Sequence, residues 1–233
     1  MNRIPKIIHQ VWSGIDGPLP EQFQLFSQTW KDCYPDWQYI SWNNEMINDF
    51  IKRYYPQYWD IYTNFHYNIQ RWDAIRYLIL DKMGGMYVDY DYESLESMEK
   101  LLFDKECCFS LEPDVHSPQK GELFFNNAMM ISVPEHFFMK KIISSVFSEK
   151  TLKHDWRDKG PCIMNTAGPG MLVNQYNKLS QEEKGKIFLI PATNVTPFDR
   201  YQLRRLRKGE RSDDLEECLN DAYAVHYFFN TWI

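Results

Sequence analysis

Residues 67–91 constrain this chain most tightly. Tyr67 to Met83 reads as a helix that is apolar around most of its circumference, and Gly84-Gly85 interrupts it. A glycine pair there fits a helix end that needs a left-handed backbone. A short strand, Met86 to Asp89, follows at once. A helix that hands over to a strand within two residues places the two in adjacent layers. The rest of the chain repeats the alternation. Lys6 to Trp12, Trp37 to Trp42, Cys107 to Leu111, Asn127 to Val133 and Ile187 to Ile190 read as strands. Leu19 to Trp30, Asn44 to Tyr54, His136 to Phe147 and Met171 to Asn177 read as helices, and 92–103 as loop and short helix. The pattern predicts an α/β fold with a mostly parallel central sheet flanked by helices. The length of 233 residues favours one domain, 1–233, with small helical excursions at 19–60 and 196–218.

Composition narrows the function classes. A net charge of −6 argues against nucleic-acid binding by bulk attraction. One basic run, Arg200 to Arg211, is followed by the acidic stretch Asp213 to Glu217. It reads either as a self-neutralising surface or as a contact for an anionic ligand or membrane. The 5 cysteines form no paired framework, which fits a reducing, cytoplasmic setting. No apolar run approaches the roughly 18 residues needed to span a bilayer, and Ile4 to Trp12 is too short for a secretory signal. Aromatic residues make up 16% of the chain, enough both to fill a core and to line a pocket that stacks on flat rings.

The strongest chemical signal is Tyr87-Val88-Asp89-Tyr90-Asp91-Tyr92. In an extended stretch, residues two apart face one side, so Asp89 and Asp91 present two carboxylates to one point. If the strand ends earlier, both can still reach one ion from a turn. Their repulsion calls for a cation or a proton, and a hard divalent ion bridging to phosphate oxygens meets that need. Solvent-facing turns contain Asp-x-Asp by chance, and a pair of acid/base carboxylates is a third reading. The place decides the weight: ligands of open α/β sheets bind outside the carboxyl ends of strands.

On the helix before it, Arg76 lies between Trp72 and Leu80 and is partly buried, with Asp73 one turn away. A buried guanidinium needs a partner or a ligand. The pair either fastens helix to sheet or reaches into a donor pocket. Trp12, at the end of the first strand, is a core residue or a stacking platform. Gly168, before Pro169 and Gly170, offers either close backbone approach to a ligand or a plain turn. Asn126 and Asn127 bind hydroxyls or cap a turn. His226 is a possible metal ligand in the aromatic C-terminal stretch, whereas His9 reads as a satisfied core histidine.

Three ordered segments carry a family resemblance: Ile4-Pro5-Lys6-Ile7-Ile8-His9-Gln10-Val11-Trp12, Arg71-Trp72-Asp73-Ala74-Ile75-Arg76-Tyr77, and Gly84-Gly85-Met86-Tyr87-Val88-Asp89-Tyr90-Asp91. Weaker matches are Asn127-Ala128, Gly168-Pro169 and the closing His226 to Trp232. The chain resembles the DXD-containing glycosyltransferases. These include yeast initiating α-1,6-mannosyltransferases, bacterial capsular polysaccharide transferases and, more remotely, the catalytic domains of clostridial glucosylating toxins. The resemblance implies a GT-A fold and Mn²⁺ or Mg²⁺. It implies a UDP-sugar or GDP-sugar donor and hexose transfer, with retention, to a glycan or lipid-linked glycan. By that similarity Trp12 stacks on the base, Asp73 and Arg76 contact the donor sugar, Asp89 touches ribose or sugar, and Asp91 binds the metal. Asn127 and Gly168 fall on the donor side, and His226 or Asn230 completes the metal site. A peripheral contact with the inner face of the cell membrane follows from a lipid-linked acceptor. The rival readings are a nucleotide-sugar or carbohydrate-binding module without turnover, and a metal-dependent phosphohydrolase.

Overall fold

The computed structural model describes residues 3–118 and 121–229. Strand β1 (Ile7–Val11) leads through a loop to helix α1 (Glu21–Cys33). β2 (Gln38–Trp42) and α2 (Asn44–Tyr54) follow, the helix capped by the Asn43 side chain, which accepts from Met46 N–H. After α3 (Trp59–Thr63) come α4 (Asn68–Met83) and β3 (Gly85–Val88). Next are β4 (Tyr92–Ser94), β5 (Cys107–Leu111) and β6 (Phe125–Ser132). Helices α5 (Phe137–Val146), α6 (Glu149–Leu152), α7 (Lys159–Thr166), α8 (Pro169–Asn177) and α9 (Gln181–Lys184) precede β7 (Phe188–Ile190). The chain continues through α10 (Ala192–Val195), α11 (Arg200–Arg207), α12 (Asp213–Glu217) and β8 (Ala224–His226).

Six strands form the central sheet in the order β2-β1-β3-β6-β5-β7. β1 is parallel to β2 and β3, and β5 to β7, while β6 runs against both of its neighbours. The sheet is therefore mostly parallel. Side chains alternate across it. Tyr87, Met130, Cys107 and Phe109 join the core under α2, α4, α5 and α8. Met86, Val88, Met129, Ile131 and Cys108 join the opposite core with Trp30 of α1. Both faces are covered, as a largely parallel sheet requires.

Gly84 caps α4 at φ 64°, its N–H bonded to Leu80 O. Gly85 has φ 97°, and a Cβ there would lie 2.5 Å from Ile7 O. The glycine pair thus lets the chain reverse and lets β3 press against β1.

Three expectations shift. β3 ends at Val88, and Asp89 to Asp91 form a turn in which Tyr92 N–H donates to Asp89 O at 3.2 Å. The two carboxylates do not share a strand face. Residues 92–103 hold β4, which pairs with β8 in a separate two-stranded sheet. Three residues are too few to display alternation, and their partner lies near the other end of the chain. Helix α7 has no signature in the sequence pattern, because Gly160 and Pro161 sit in its first turn, where proline is tolerated. No described helix is long and apolar enough to cross a membrane.

Candidate functional site

A cavity of about 700 Å³ opens at the carboxyl edge of the sheet. Trp12 follows β1, Asp89 and Asp91 follow β3, Glu112 follows β5, and Asn126 and Asn127 open the antiparallel β6. All of them line the cavity, together with Asp73 and Arg76 of α4 and with His226. The edge gathers them because every strand but β6 ends there, and β6 begins there.

Arg76 is the centre. Its Nη2 lies 3.3 Å from Asp73 Oδ1 and 3.1 Å from Asp89 Oδ1. Nη1 donates to Asp89 Oδ2 at 3.3 Å and to Asn127 O at 3.1 Å. Asn127 Nδ2 donates to Asp73 Oδ1 at 3.0 Å, and the Tyr87 hydroxyl to Asp89 Oδ1 at 2.5 Å. The guanidinium is 4.9 Å from the Tyr87 ring centroid. Burial opposes its charge, but Asp89, Tyr87 and Asp73 outweigh burial and raise its pKa. Burial raises the carboxyl of Asp73 to about 6, against the pull of Arg76. It raises Asp89 too, again against Arg76, with the charge of Asp91 adding to the rise. The two readings of the Asp73–Arg76 pair therefore coincide: it fastens helix to sheet edge and it faces the cavity. Among the described residues, Arg76 Nε has no hydrogen-bond partner.

The second cluster is closed by the C-terminal strand. Tyr227 N–H donates to Asp91 O at 2.9 Å and Phe229 N–H to Asp91 Oδ2 at 3.0 Å. Between them Phe228 takes φ 48°, a left-handed conformation uncommon for such a side chain. His226 Nε2 sits 3.3 Å from Asp91 Oδ1, and its ring stacks on Tyr92 at 4.2 Å. Burial pushes the Asp91 carboxyl up, but His226 and the Phe229 N–H outweigh it and the pKa is lowered. Burial pushes His226 down, and Asp91 outweighs that, so its pKa is raised. Among the described residues no three His, Cys, Asp or Glu side chains gather as a metal cage. The donors still fit a hard divalent ion of the kind held by one or two carboxylates, with phosphate and water completing the shell. Asp91 and Asp89 feel each other's charge, and among the described residues the buried His226 Nδ1 has no hydrogen-bond partner. Asn230 lies outside the described residues.

Trp12 closes the other end. Its Nε1 donates to Gly17 O at 2.9 Å, and its ring meets Phe23 and Tyr90 edge-on at 5.8 and 6.1 Å. Gly168 does not line the cavity, although Pro169 does. A Cβ on Gly168 would lie 3.0 Å from Ile163 O, so contact with α7 already accounts for the glycine. His9 is the satisfied core histidine expected: Nε2 bonds Gly84 O at 2.9 Å and Nδ1 accepts from Trp42 Nε1 at 3.2 Å. Glu112, Asp16 and Lys159 line the cavity without any signal in the sequence pattern. A single charged residue after a strand or in a loop has no spacing to betray it.

Residues 20–108, which span Asp73, Arg76, Asp89 and Asp91, match the family described as the glycosyltransferase sugar-binding region containing the DXD motif. This chain belongs to the DXD-containing glycosyltransferases. It is 35% identical over 191 residues to the mannosyl phosphorylinositol ceramide synthase CSH1 of Saccharomyces cerevisiae, covering 80% of this chain and 47% of that one. It is 29% identical to inositol phosphoceramide mannosyltransferase 1 of Schizosaccharomyces pombe, covering 82% and 57%. The chain thus spans about half the length of these curated relatives. Among solved structures, the PaToxG glycosyltransferase superposes with a TM-score of 0.57 at 15% identity, over 95% of this chain and 89% of that one. That likeness bears on the fold, which is GT-A.

Proposed function

We propose that this chain transfers a hexose from a nucleoside diphosphate sugar to a hydroxyl of a glycan or lipid-linked glycan. Transfer uses Mn²⁺ or Mg²⁺ and retains the anomeric configuration. The names of the relatives favour mannose as the hexose and a phosphoinositol-bearing ceramide as the kind of acceptor. The observation that carries the reading is the cluster of buried Asp73 and Arg76 with half-buried Asp89, beside Asp91 at the sheet edge. Trp12, held by Gly17, Phe23 and Tyr90, offers its ring to the base. Asp73 and Asn127 accept from and donate to sugar hydroxyls, and Asp89 serves ribose or sugar.

A metal at Asp91, with Asp89 and His226 beside it, would neutralise charge on the diphosphate. Arg76 is already fixed by two carboxylates, so it meets developing charge on the leaving group without reorganisation. Attack from the leaving-group face, with a donor phosphate oxygen taking the acceptor proton, needs no protein nucleophile and supports retention.

The setting proposed is cytoplasmic, at the inner face of the membrane. All five cysteines are free thiols, which suits a reducing compartment. α11 carries Arg200, Arg204 and Arg207 on a helix with one buried residue, Leu203. Arg205 is neutralised by Glu210 and Asp214, so only part of the basic run is left for anionic lipid.

One experiment tests the whole. The full chain is incubated with GDP-mannose or UDP-glucose and with phosphatidylinositol vesicles, with and without Mn²⁺. Nucleoside diphosphate release, the anomeric configuration of the product and vesicle-bound protein are measured. Metal-dependent release is expected, at least about 100-fold lower in Asp91→Asn, with unchanged circular dichroism. Nucleotide binding without release would favour a binding module, and inorganic phosphate from simple esters a phosphohydrolase. An Asp91→Asn variant with full turnover at limiting Mn²⁺ ends the role of Asp91.

A further inference from the structure

Glu112 is a cavity carboxylate that the donor scheme leaves unused. It follows the last residue of β5, and its side chain is 10% exposed. Asn126 Nδ2 donates to its Oε1 at 3.1 Å. His116 Nδ1 lies 2.9 Å from its Oε2. The Arg200 N–H donates to His116 Nε2 at 3.0 Å, so that nitrogen is the acceptor and Nδ1 carries the hydrogen that Glu112 receives. Both groups holding Glu112 are therefore neutral. This contrasts with Asp73 and Asp89, which share Arg76, and with Asp91, which has His226.

The strand order gives Glu112 its place. Along the cavity edge lie Trp12 after β1, Asp89 after β3, Asn127 on β6 and Glu112 after β5. Glu112 is three strand spacings from Trp12, about 14 Å. On the proposed function, the base lies at β1, the diphosphate at the Asp89–Asp91 turn and the hexose against Asp73, Arg76 and Asn127. Glu112 then lies past the hexose. Glu112 makes no ion pair with a Lys or Arg among the described residues, although its charge helps to raise the pKa of His226. Such a carboxylate repels a diphosphate and retains lone pairs for hydroxyl donors. Phe228 adds an apolar ring. It lines the cavity and lies edge-on to His116 at 5.0 Å. Sugar and cyclitol rings pair an apolar face with a rim of hydroxyls, which is the complement of Phe228 and Glu112.

We infer that Glu112, positioned by His116 and Asn126 and flanked by Phe228, is the acceptor-binding carboxylate, and that it receives hydrogen bonds from a hydroxylated ring of the acceptor. The inference rests on the transferase reading, and the test separates the two. The full chain and the variants Glu112→Ala, Glu112→Gln and His116→Ala are assayed with GDP-mannose and Mn²⁺. The acceptor arms are phosphatidylinositol in micelles and methyl α-mannoside, which distinguish a cyclitol headgroup from a hexose. GDP affinity is measured by calorimetry.

Glu112→Ala should raise the KM of the productive acceptor about 10- to 100-fold, the range for a hydrogen bond to a charged group. Glu112→Gln should raise it less, because an amide oxygen still accepts. His116→Ala should raise the acceptor KM with a smaller change in kcat, and GDP affinity should stay within twofold in all three. A wild type that neither binds GDP nor turns over donor overturns the transferase reading and this one with it. An active wild type whose acceptor KM is unmoved in both Glu112 variants overturns the Glu112 assignment alone.

Discussion

Arg76 holds the buried Asp73 and the half-buried Asp89 in one place. Breaking a buried pair costs more than the pair contributes, because the remaining charge stays desolvated. Arg76→Met removes the cation and keeps much of the side-chain bulk. Asp73 and Asp89, both already raised by burial, then have only hydrogen bonds from Asn127 and Tyr87 to sustain their charge. The variant should lose about 3–5 kcal/mol in urea unfolding at pH 8. At pH 5 the carboxylates take up protons and the loss should shrink. An equal loss at both pH values would mean that Arg76 acts through packing. That Arg76 is buried beside Asp73 can be read from the helix period. That Asp89 closes the same cluster cannot, because it depends on where β3 stops. Glu112 is invisible in sequence for a related reason: its meaning comes from β5 standing two strands away from β3.

Among the elements, α4 and β3 act as one unit. Every residue of α4 from Trp72 to Asp81 is buried. Its polar arc does not face water. Gln70 donates to Thr166 Oγ1 at 2.7 Å, the Tyr77 hydroxyl to Ala167 O at 2.8 Å, and Asp81 accepts from the Tyr55 hydroxyl at 2.6 Å. In sequence the helix period leaves a narrow polar arc of Gln70, Asp73, Tyr77 and Asp81 without showing what covers it. Here α7 covers part of it, and α7 is an element that the pattern conceals. The glycine step was legible because left-handed backbone and close approach both demand the smallest residue. Gly85→Ala tests it. The φ of 97° costs an alanine about 1–3 kcal/mol. The Cβ, 2.5 Å from Ile7 O, must also push β1 from β3. Thermal unfolding should show a loss larger than the backbone cost alone. A melting temperature within a few degrees of wild type would mean that the β1–β3 contact yields easily. α2 and β5 were legible to the residue, since Asn43 and Pro56 bound one and a short run, apolar but for Ser110, marks the other.

For the molecule as a whole, His9 ties three regions together. It stands on β1, bonds the end of α4 at Gly84 O, and accepts from Trp42 on β2. Burial pushes its pKa down to about 4, against the Gly84 carbonyl, and protonation would also set an N–H against the Trp42 N–H. The unfolded chain binds this proton near the ordinary value of 6.5. Stability from His9 is therefore complete above pH 6.5 and drains away as pH falls toward 4, by about 3 kcal/mol in all. His136, also pushed down to about 4 by burial, acts in the same direction. Asp73 opposes both. Its raised carboxyl takes a proton in the folded state before the unfolded one does, so it gains stability as pH falls below about 6. The wild-type profile alone would mix these trends. The difference between wild type and His9→Gln isolates one of them, because the other groups are common to both. Gln keeps a donor for Gly84 O and does not titrate. Urea unfolding from pH 7.5 to 4 should show the variant gaining on wild type by about 3 kcal/mol, with most of the change between pH 6.5 and 4. A difference that stays flat with pH would mean that His9 is charged in the fold and that the Trp42 contact gives way to accommodate it.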